Sequence, residues 1–199
     1  MAVKSLRPAL FLDKDGTLLD DVPYNVDARR MRFAAGAAQA LARFAALGVP
    51  LIVVSNQPGV ALGRFQPARL DDVRKQLAAM FASCGASLAA AYFCPHHPQG
   101  SVVAYARACD CRKPSPGLLQ RAAGEHAIDL RRSWMIGDIL DDVEAGKRAG
   151  CRSVLVCNGN ETEWLAGPFR RPDHFVRDLA EAAELIAGAS APKRAPIAA

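Results

Sequence analysis

The sequence predicts a doubly wound α/β domain, a parallel sheet covered by helices on both faces. Three observations point to it. Runs of strand length alternate along the chain with longer stretches whose apolar residues recur at helical spacing. The strand-length runs are apolar almost throughout rather than alternating with polar residues, which marks strands buried on both sides. Polar residues suited to phosphate or metal chemistry also stand directly after three of these runs, where ligands bind in open α/β sheets.

The elements follow in order. Residues 10–12, LFL, form a first strand that ends at Asp13. Residues 36–48 form a helix, with Leu41, Phe44 and Ala45 on its apolar face and Gly48 as its C-terminal stop. Residues 50–54 are the second strand. A helix begins near Pro67, buries Leu70, Val73, Leu77, Met80 and Phe81, and stops before Gly85. Residues 89–93 are a third strand. An irregular stretch leads to a helix over 116–126, with Ser115 as N-cap and Pro116 as first helical residue. A strand over 133–136, a helix over 141–149 and a strand over 152–156 come next. Residues 174–176 form the last strand and 179–187 the last helix.

At 199 residues with 51% hydrophobic content, the chain fills one sizeable core, so residues 1–187 are expected to be a single domain with no large cap. Residues 188–199, rich in Ala and Pro without apolar period, are expected to be a disordered tail. The start MAVKSLRPALFLD carries only a short apolar run, unlike a signal peptide or a membrane span, and a cytoplasmic location is expected. The net charge of +5 is dispersed, with no basic run longer than two residues. That pattern reads as a solvated surface, so neither nucleic acid nor membrane is an expected partner.

Two motifs carry chemistry. In LFLDKDGTLL, Asp13 and Asp15 sit beside a sharp glycine turn at a strand end, where they can share a divalent cation instead of repelling each other. The chemistry suggested is phosphoryl transfer through an aspartate. Residues 94–111, CPHHPQGSVVAYARACDC, hold a CxH and a CxC pair separated by twelve residues. Three thiolates and one imidazole match a closed tetrahedral Zn²⁺ site, which is structural because no position is left for substrate. The best ligand set is Cys94, His96, Cys109 and Cys111, although spacing alone allows His97 to replace His96. The remaining cysteines, Cys84, Cys151 and Cys157, read as small core residues.

DxDGT at Asp13, Ser55 after residues 51–54, Lys113 in CRKPSPG, and Asp138 with Asp142 in GDxxxD occur in the order that resembles the haloacid dehalogenase (HAD) phosphotransferase superfamily. The resemblance implies a HAD-like, Rossmann-like fold and a division of roles. Asp13 is the nucleophile and Asp15 the general acid and later base. Ser55, assisted by Asn56, and Lys113 bind the transferring phosphate. Mg²⁺ is held by the Asp13 carboxylate, the Asp15 backbone carbonyl and Asp138, with Asp142 supporting Asp138 or adding a ligand through water.

The HAD motifs together with the zinc loop, CPHHPQGSV followed by CDCRKPSPG, resemble the heptose 1,7-bisphosphate phosphatase group and related histidinol phosphatases. This implies a sugar bisphosphate substrate recognised partly by Arg112, on the way to cell-envelope polysaccharide, and a monomer is expected. Histidinol phosphate is the alternative substrate. A nucleic-acid 3′-phosphatase and an inactive zinc-ordered binding module are weaker readings. Ser55 stands where threonine is common in the family, and Ile139 where lysine often follows the aspartate. Residues 20–30, DDVPYNVDARR, diverge where substrate contacts are expected.

Overall fold

The structure, a computed structural model, describes residues 5–190. Six parallel strands form one sheet: β1 (Leu10–Leu12), β2 (Leu51–Asn56), β3 (Leu88–Cys94), β4 (Trp134–Gly137), β5 (Arg152–Val156) and β6 (His174–Val176). Their order is β3-β2-β1-β4-β5-β6. The chain therefore winds outward from β1 in one direction, returns to pair β4 on its other side, and winds outward again. A crevice opens at such a switch point, beyond the carboxyl ends of the central strands.

Side chains alternate across the strands, so one sheet serves two cores. Leu10, Leu12, Leu51, Val53, Trp134 and Ile136 enter one core, while Phe11, Ile52, Val54 and Met135 enter the other. The first face is covered by α1 (Ala37–Ala46), α2 (Arg69–Ser83) and α5 (Leu179–Ser190). Leu41 and Phe44 of α1 lie fully buried beside Ala182, Ala183 and Ile186 of α5. The other face is covered by α3 (Gly117–His126) and α4 (Leu140–Ala149), through Leu118, Leu119, Ala122 and Ala145. Every expected strand and helix is present, and no large cap is inserted.

Several details differ from expectation. Of the three cysteines read as core residues only Cys151 is buried, whereas Cys84 is half-buried and Cys157 is exposed. Helix α5 runs to Ser190, three residues beyond its predicted end, and the rest of the expected tail lies outside the described residues. Pro116, not Ser115, stands at the N-cap of α3 and offers no side-chain bond. The Gly117 N–H instead donates to the Asp110 carbonyl at 2.9 Å, so the cysteine loop itself satisfies the start of that helix. Short 3-10 turns at Ala28–Arg30 and Leu130–Arg132 were not anticipated. Each is opened by an aspartate, Asp27 or Asp129, whose carboxylate accepts a backbone N–H two residues on. Among the described residues no helix is long and apolar enough to cross a membrane.

Candidate active site and metal centre

β1 and β4 are neighbours with Leu12 opposite Ile136, so the chain leaves both strands at one level and brings Asp13 beside Asp138. The Asp13 N–H donates to the Ile136 carbonyl at 2.9 Å, which continues the ladder by one rung before the two strands part. Ser55, the last residue but one of β2, stands on the other flank, and Lys113 enters from the loop before α3. The turn after Asp15 requires Gly16, whose φ is +81°; a Cβ there would also collide with the Asp138 carboxylate and the Asn160 amide.

Asp13, Asp15, Ser55, Asn56, Lys113 and Asp138 all line one cavity of about 220 Å³. A neighbouring hollow of about 250 Å³ shares Asp15, Asp21 and Asn56 with it and is walled by Val22, Pro23 and Tyr24, from the divergent segment 20–30. Arg112 lines neither space. Its Nη1 is buried without a hydrogen-bond partner among the described residues.

Lys113 is the hub of the charges. Its ammonium pairs with Asp13, reaches Asp142 at 2.6 Å and donates to the Val54 carbonyl at 3.0 Å. Asp142 is thus held by the lysine rather than by Asp138. Burial alone would lower the Lys113 pKa, but Asp13 and Asp142 together outweigh it and raise it, keeping the lysine charged. Asn56 clamps the lysine's backbone from both sides: its Nδ2 donates to the Lys113 carbonyl and its Oδ1 accepts the Lys113 N–H, both at 3.0 Å. The amide expected to help bind phosphate is therefore occupied in seating Lys113.

Asp15 is gripped by residues that sequence reasoning missed. Gln57 Nε2 donates to Asp15 Oδ2 at 2.9 Å and to Ser55 Oγ at 3.0 Å. Lys14, fully buried, lies 3.0 Å from Asp15 Oδ1. Burial raises the Asp15 pKa, against the pull of Lys14 and with the help of Asp13. Asp138 receives Thr17 Oγ1 on Oδ1 and Asn160 Nδ2 on Oδ2, each at 2.7 Å. Burial and the nearby Asp13 push its carboxyl up to about 6.

Carboxylate oxygens of Asp13, Asp138 and Asp142 all lie within 4.8 Å of one another, and all three residues are buried. Lys113 is the one cation paired with this trio among the described residues. An excess of buried negative charge presented as hard oxygen donors fits a small divalent cation. It also sets a stability cost in metal-free protein. An acid whose folded pKa is raised destabilises the fold where it is ionised. For Asp138 that cost is absent below the unfolded value of 3.8 and is complete above about 6. Metal-free Asp138→Asn is therefore expected to gain about 1–3 kcal/mol at pH 7, an advantage that vanishes toward pH 4. Denaturant titrations at the two pH values check it, and equal stability at pH 7 would refute it.

The second cluster assembles where β3 ends. Cys111 Sγ lies 3.2 Å from Cys94 Sγ and 3.3 Å from Cys109 Sγ, and His96 Nδ1 lies 3.3 Å from Cys111 Sγ. A tetrahedral Zn²⁺ with bonds of about 2.3 Å to sulfur spaces its sulfurs at about 3.8 Å, close to the 3.6 Å between Cys94 and Cys109. The donor set therefore fits a closed thiolate-rich metal site. His97 turns away: its Nδ1 accepts the Gln99 N–H at 3.2 Å, which resolves the choice between the two histidines. Burial pushes the Cys94 thiol well up, as expected for a group that ionises only against a cation. The guanidinium of Arg107 lies 2.9 Å from His96 Nε2, a neighbour the sequence did not announce.

Residues 110–182 match the HAD-hydrolase-like family. The D-glycero-beta-D-manno-heptose-1,7-bisphosphate 7-phosphatase of Escherichia coli K12 is 39% identical over 167 residues, which cover 79% of this chain and 87% of that protein. The D-glycero-D-manno-heptose-1,7-bisphosphate 7-phosphatase of Thermosynechococcus vestitus is 38% identical over 194 residues, 94% of this chain and 99% of that one. Among solved structures, the D,D-heptose 1,7-bisphosphate phosphatase of B. bronchiseptica, complexed with magnesium and phosphate, superposes with a TM-score of 0.79 at 30% identity. That match covers 92% of this chain and 99% of the other. A HAD-like phosphatase from Mesorhizobium loti superposes with a TM-score of 0.81 at 31% identity, over 98% of this chain and 92% of that one. Relatives of this identity, matched along most of their length by a chain with the same fold, make it a member of the D-glycero-D-manno-heptose-1,7-bisphosphate 7-phosphatase family of HAD-like hydrolases.

Proposed function

We propose that this protein is a Mg²⁺-dependent phosphatase that removes the 7-phosphate of D-glycero-D-manno-heptose 1,7-bisphosphate through an aspartyl phosphate on Asp13. The observation that carries the reading is the convergence of a nucleophilic carboxylate, a second carboxylate of raised pKa, a charged buried lysine and Asp138 on one small cavity. The names of the relatives supply the substrate.

An Asp13 carboxylate oxygen attacks phosphorus and the bond from phosphorus to the C7 oxygen breaks. Asp15, which burial helps to keep protonated, gives its proton to the leaving alkoxide. It then takes a proton from the water that attacks the aspartyl phosphate, and the bond from phosphorus to Asp13 breaks. Gln57 holds Asp15 in line for both transfers. Ser55 Oγ and the Lys113 ammonium bind phosphate oxygens, while Asp142 and the Asn56 clamp keep that ammonium in place. Bound Mg²⁺, which Asp13, Asp138 and the Asp15 carbonyl would hold, supplies the positive charge that lets an anionic nucleophile approach an anionic phosphate. The sugar hydroxyls fit the adjoining hollow with Asp21, Asn56 and Gln57, and Arg112, which lines neither space, would meet the second phosphate only by turning its buried guanidinium outward. Cys94, His96, Cys109 and Cys111 hold a structural Zn²⁺ that orders the loop delivering Arg112 and Lys113. The protein works as a monomer in the cytoplasm, where these thiols stay reduced.

Phosphate release from both anomers of the heptose bisphosphate and from histidinol phosphate, compared as kcat/KM, tests the substrate. A preference of at least about tenfold for one bisphosphate anomer is expected, since a second charged contact contributes on the order of 1.4 kcal/mol or more. Faster hydrolysis of histidinol phosphate would keep the Asp13 chemistry and move the substrate. Release from none of them would overturn the proposal.

A further inference from the structure

The loop after β5 begins with a tight turn, Asn158-Gly159-Asn160-Glu161, that touches three separate parts of the catalytic centre. Asn158 Nδ2 donates to the Gly16 carbonyl at 2.5 Å, on the turn that follows Asp15. Asn160 Nδ2 donates to Asp138 Oδ2 at 2.7 Å. Glu161 Oε2 accepts the Leu140 N–H at 2.6 Å, at the first residue of α4. Inside the turn, Asn158 Oδ1 accepts the Asn160 N–H at 3.1 Å, and Gly159 takes the left-handed φ of +93° that closes it. The loop beyond is anchored to the same helix, because Arg170 Nη1 lies 2.9 Å from both Asp141 Oδ1 and Glu144 Oε2.

We infer that Asn160 is a positioning residue for the catalytic cation, acting through Asp138. The terminal torsion of an aspartate is broad, so a carboxylate at a strand end does not hold one orientation unless donors fix it. Asp138 has one donor on each oxygen, Thr17 and Asn160, and each oxygen keeps a lone pair for a metal. Both donors are neutral. A lysine at position 160 would orient the same oxygen but cancel the charge the cation needs, whereas the amide orients without neutralising. The approach of Gly16 to both Asp138 and Asn160 closes the remaining side, since any Cβ there would strike both groups. Glu161 matters one step further out, because its bond to α4 fixes where Asn160 stands relative to the end of β4.

This inference rests on the Mg²⁺ site of the proposed function, and the experiment separates the two. Mg²⁺ binding is read in the zinc-loaded protein without substrate, from the rise of melting temperature with Mg²⁺ concentration, and beside it the Mg²⁺ dependence of phosphate release. Asn160→Ala is expected to weaken Mg²⁺ binding by about 10- to 100-fold, with KM for the sugar phosphate at saturating Mg²⁺ moving much less. Asn160→Ser, whose hydroxyl retains a donor, is expected to recover part of the loss, and it serves as the main variant if the alanine protein does not fold. Glu161→Gln is expected to shift the Mg²⁺ constant in the same direction by a smaller factor. Wild-type-like Mg²⁺ binding by Asn160→Ala, or a raised KM with an unchanged Mg²⁺ constant, overturns the inference and leaves the proposed function standing. Failure of the wild-type protein to bind Mg²⁺ at all overturns both.

Discussion

Asp13→Asn is expected to lower kcat/KM by at least about 10⁴-fold, the scale seen when a covalent nucleophile is removed and only binding and electrostatic groups remain. Lys113, Ser55 and Asp138 stay in place, so the residual activity measures what those groups do without a covalent step. Folding should survive. The asparagine has the shape of the aspartate, and Lys113 keeps Asp142 at 2.6 Å. Steady-state rates, a denaturant titration and mass analysis of acid-quenched enzyme check the expectation together. The wild type should show a covalent phosphate in the quench and the variant none. A variant that keeps even a hundredth of the activity with no phosphoenzyme in the wild type would remove Asp13 as nucleophile.

The parts of this centre that were legible in the sequence are those where chemistry sits directly on a strand end. Asp13, Ser55 and Asp138 follow near-continuous apolar runs, and a buried parallel strand leaves few alternatives for the first polar residue beyond it. The cysteine loop was legible because two close pairs of soft donors, spaced to meet, match the ligand pattern of a structural metal. Strand order was not predicted, although it is what makes Asp13 and Asp138 neighbours. Partners inside the site were read least well. Asp142 was expected to support Asp138 or to add a ligand through water; it lies in one cluster with Asp13 and Asp138, and its ion pair is with Lys113, a partner the sequence did not announce. Lys14 lies between two motif aspartates and would pass for a solvated charge, but it is fully buried against Asp15. Asn160 sits 22 residues from Asp138 in a loop with no periodic pattern. Single amides of that kind carry no sequence signal until the fold brings them together.

Loss of the proposed Zn²⁺ from the cysteine cluster is expected to have the largest structural effect of any single perturbation. Structural zinc contributes roughly 10 kcal/mol or more to the folding of small metal-ordered peptides, because the binding energy is spent on ordering a chain with little core of its own. Residues 95–112 are such a chain: they contain no regular element, and exposed Val103 shows how little of their apolar surface finds a core. The loop also has a mechanical task. The Asp110 carbonyl, between Cys109 and Cys111, accepts the first amide of α3, and two residues after Cys111 the chain delivers Lys113 to Asp13. Cys109→Ser should therefore bind Zn²⁺ about 10- to 100-fold more weakly or lose it, and raise amide exchange across 95–112 while β1, β2 and β4 stay protected. The activity loss should appear as weaker phosphate binding, because without an ordered loop before it Lys113 is left to the Asn56 clamp on its backbone and to Asp13, Asp142 and the Val54 carbonyl on its ammonium. Metal content by elemental analysis, hydrogen exchange and phosphate inhibition constants report the three consequences separately. Full zinc content in Cys109→Ser would refute the ligand assignment, and zinc loss with unchanged exchange and phosphate affinity would show that the loop holds Lys113 without the metal.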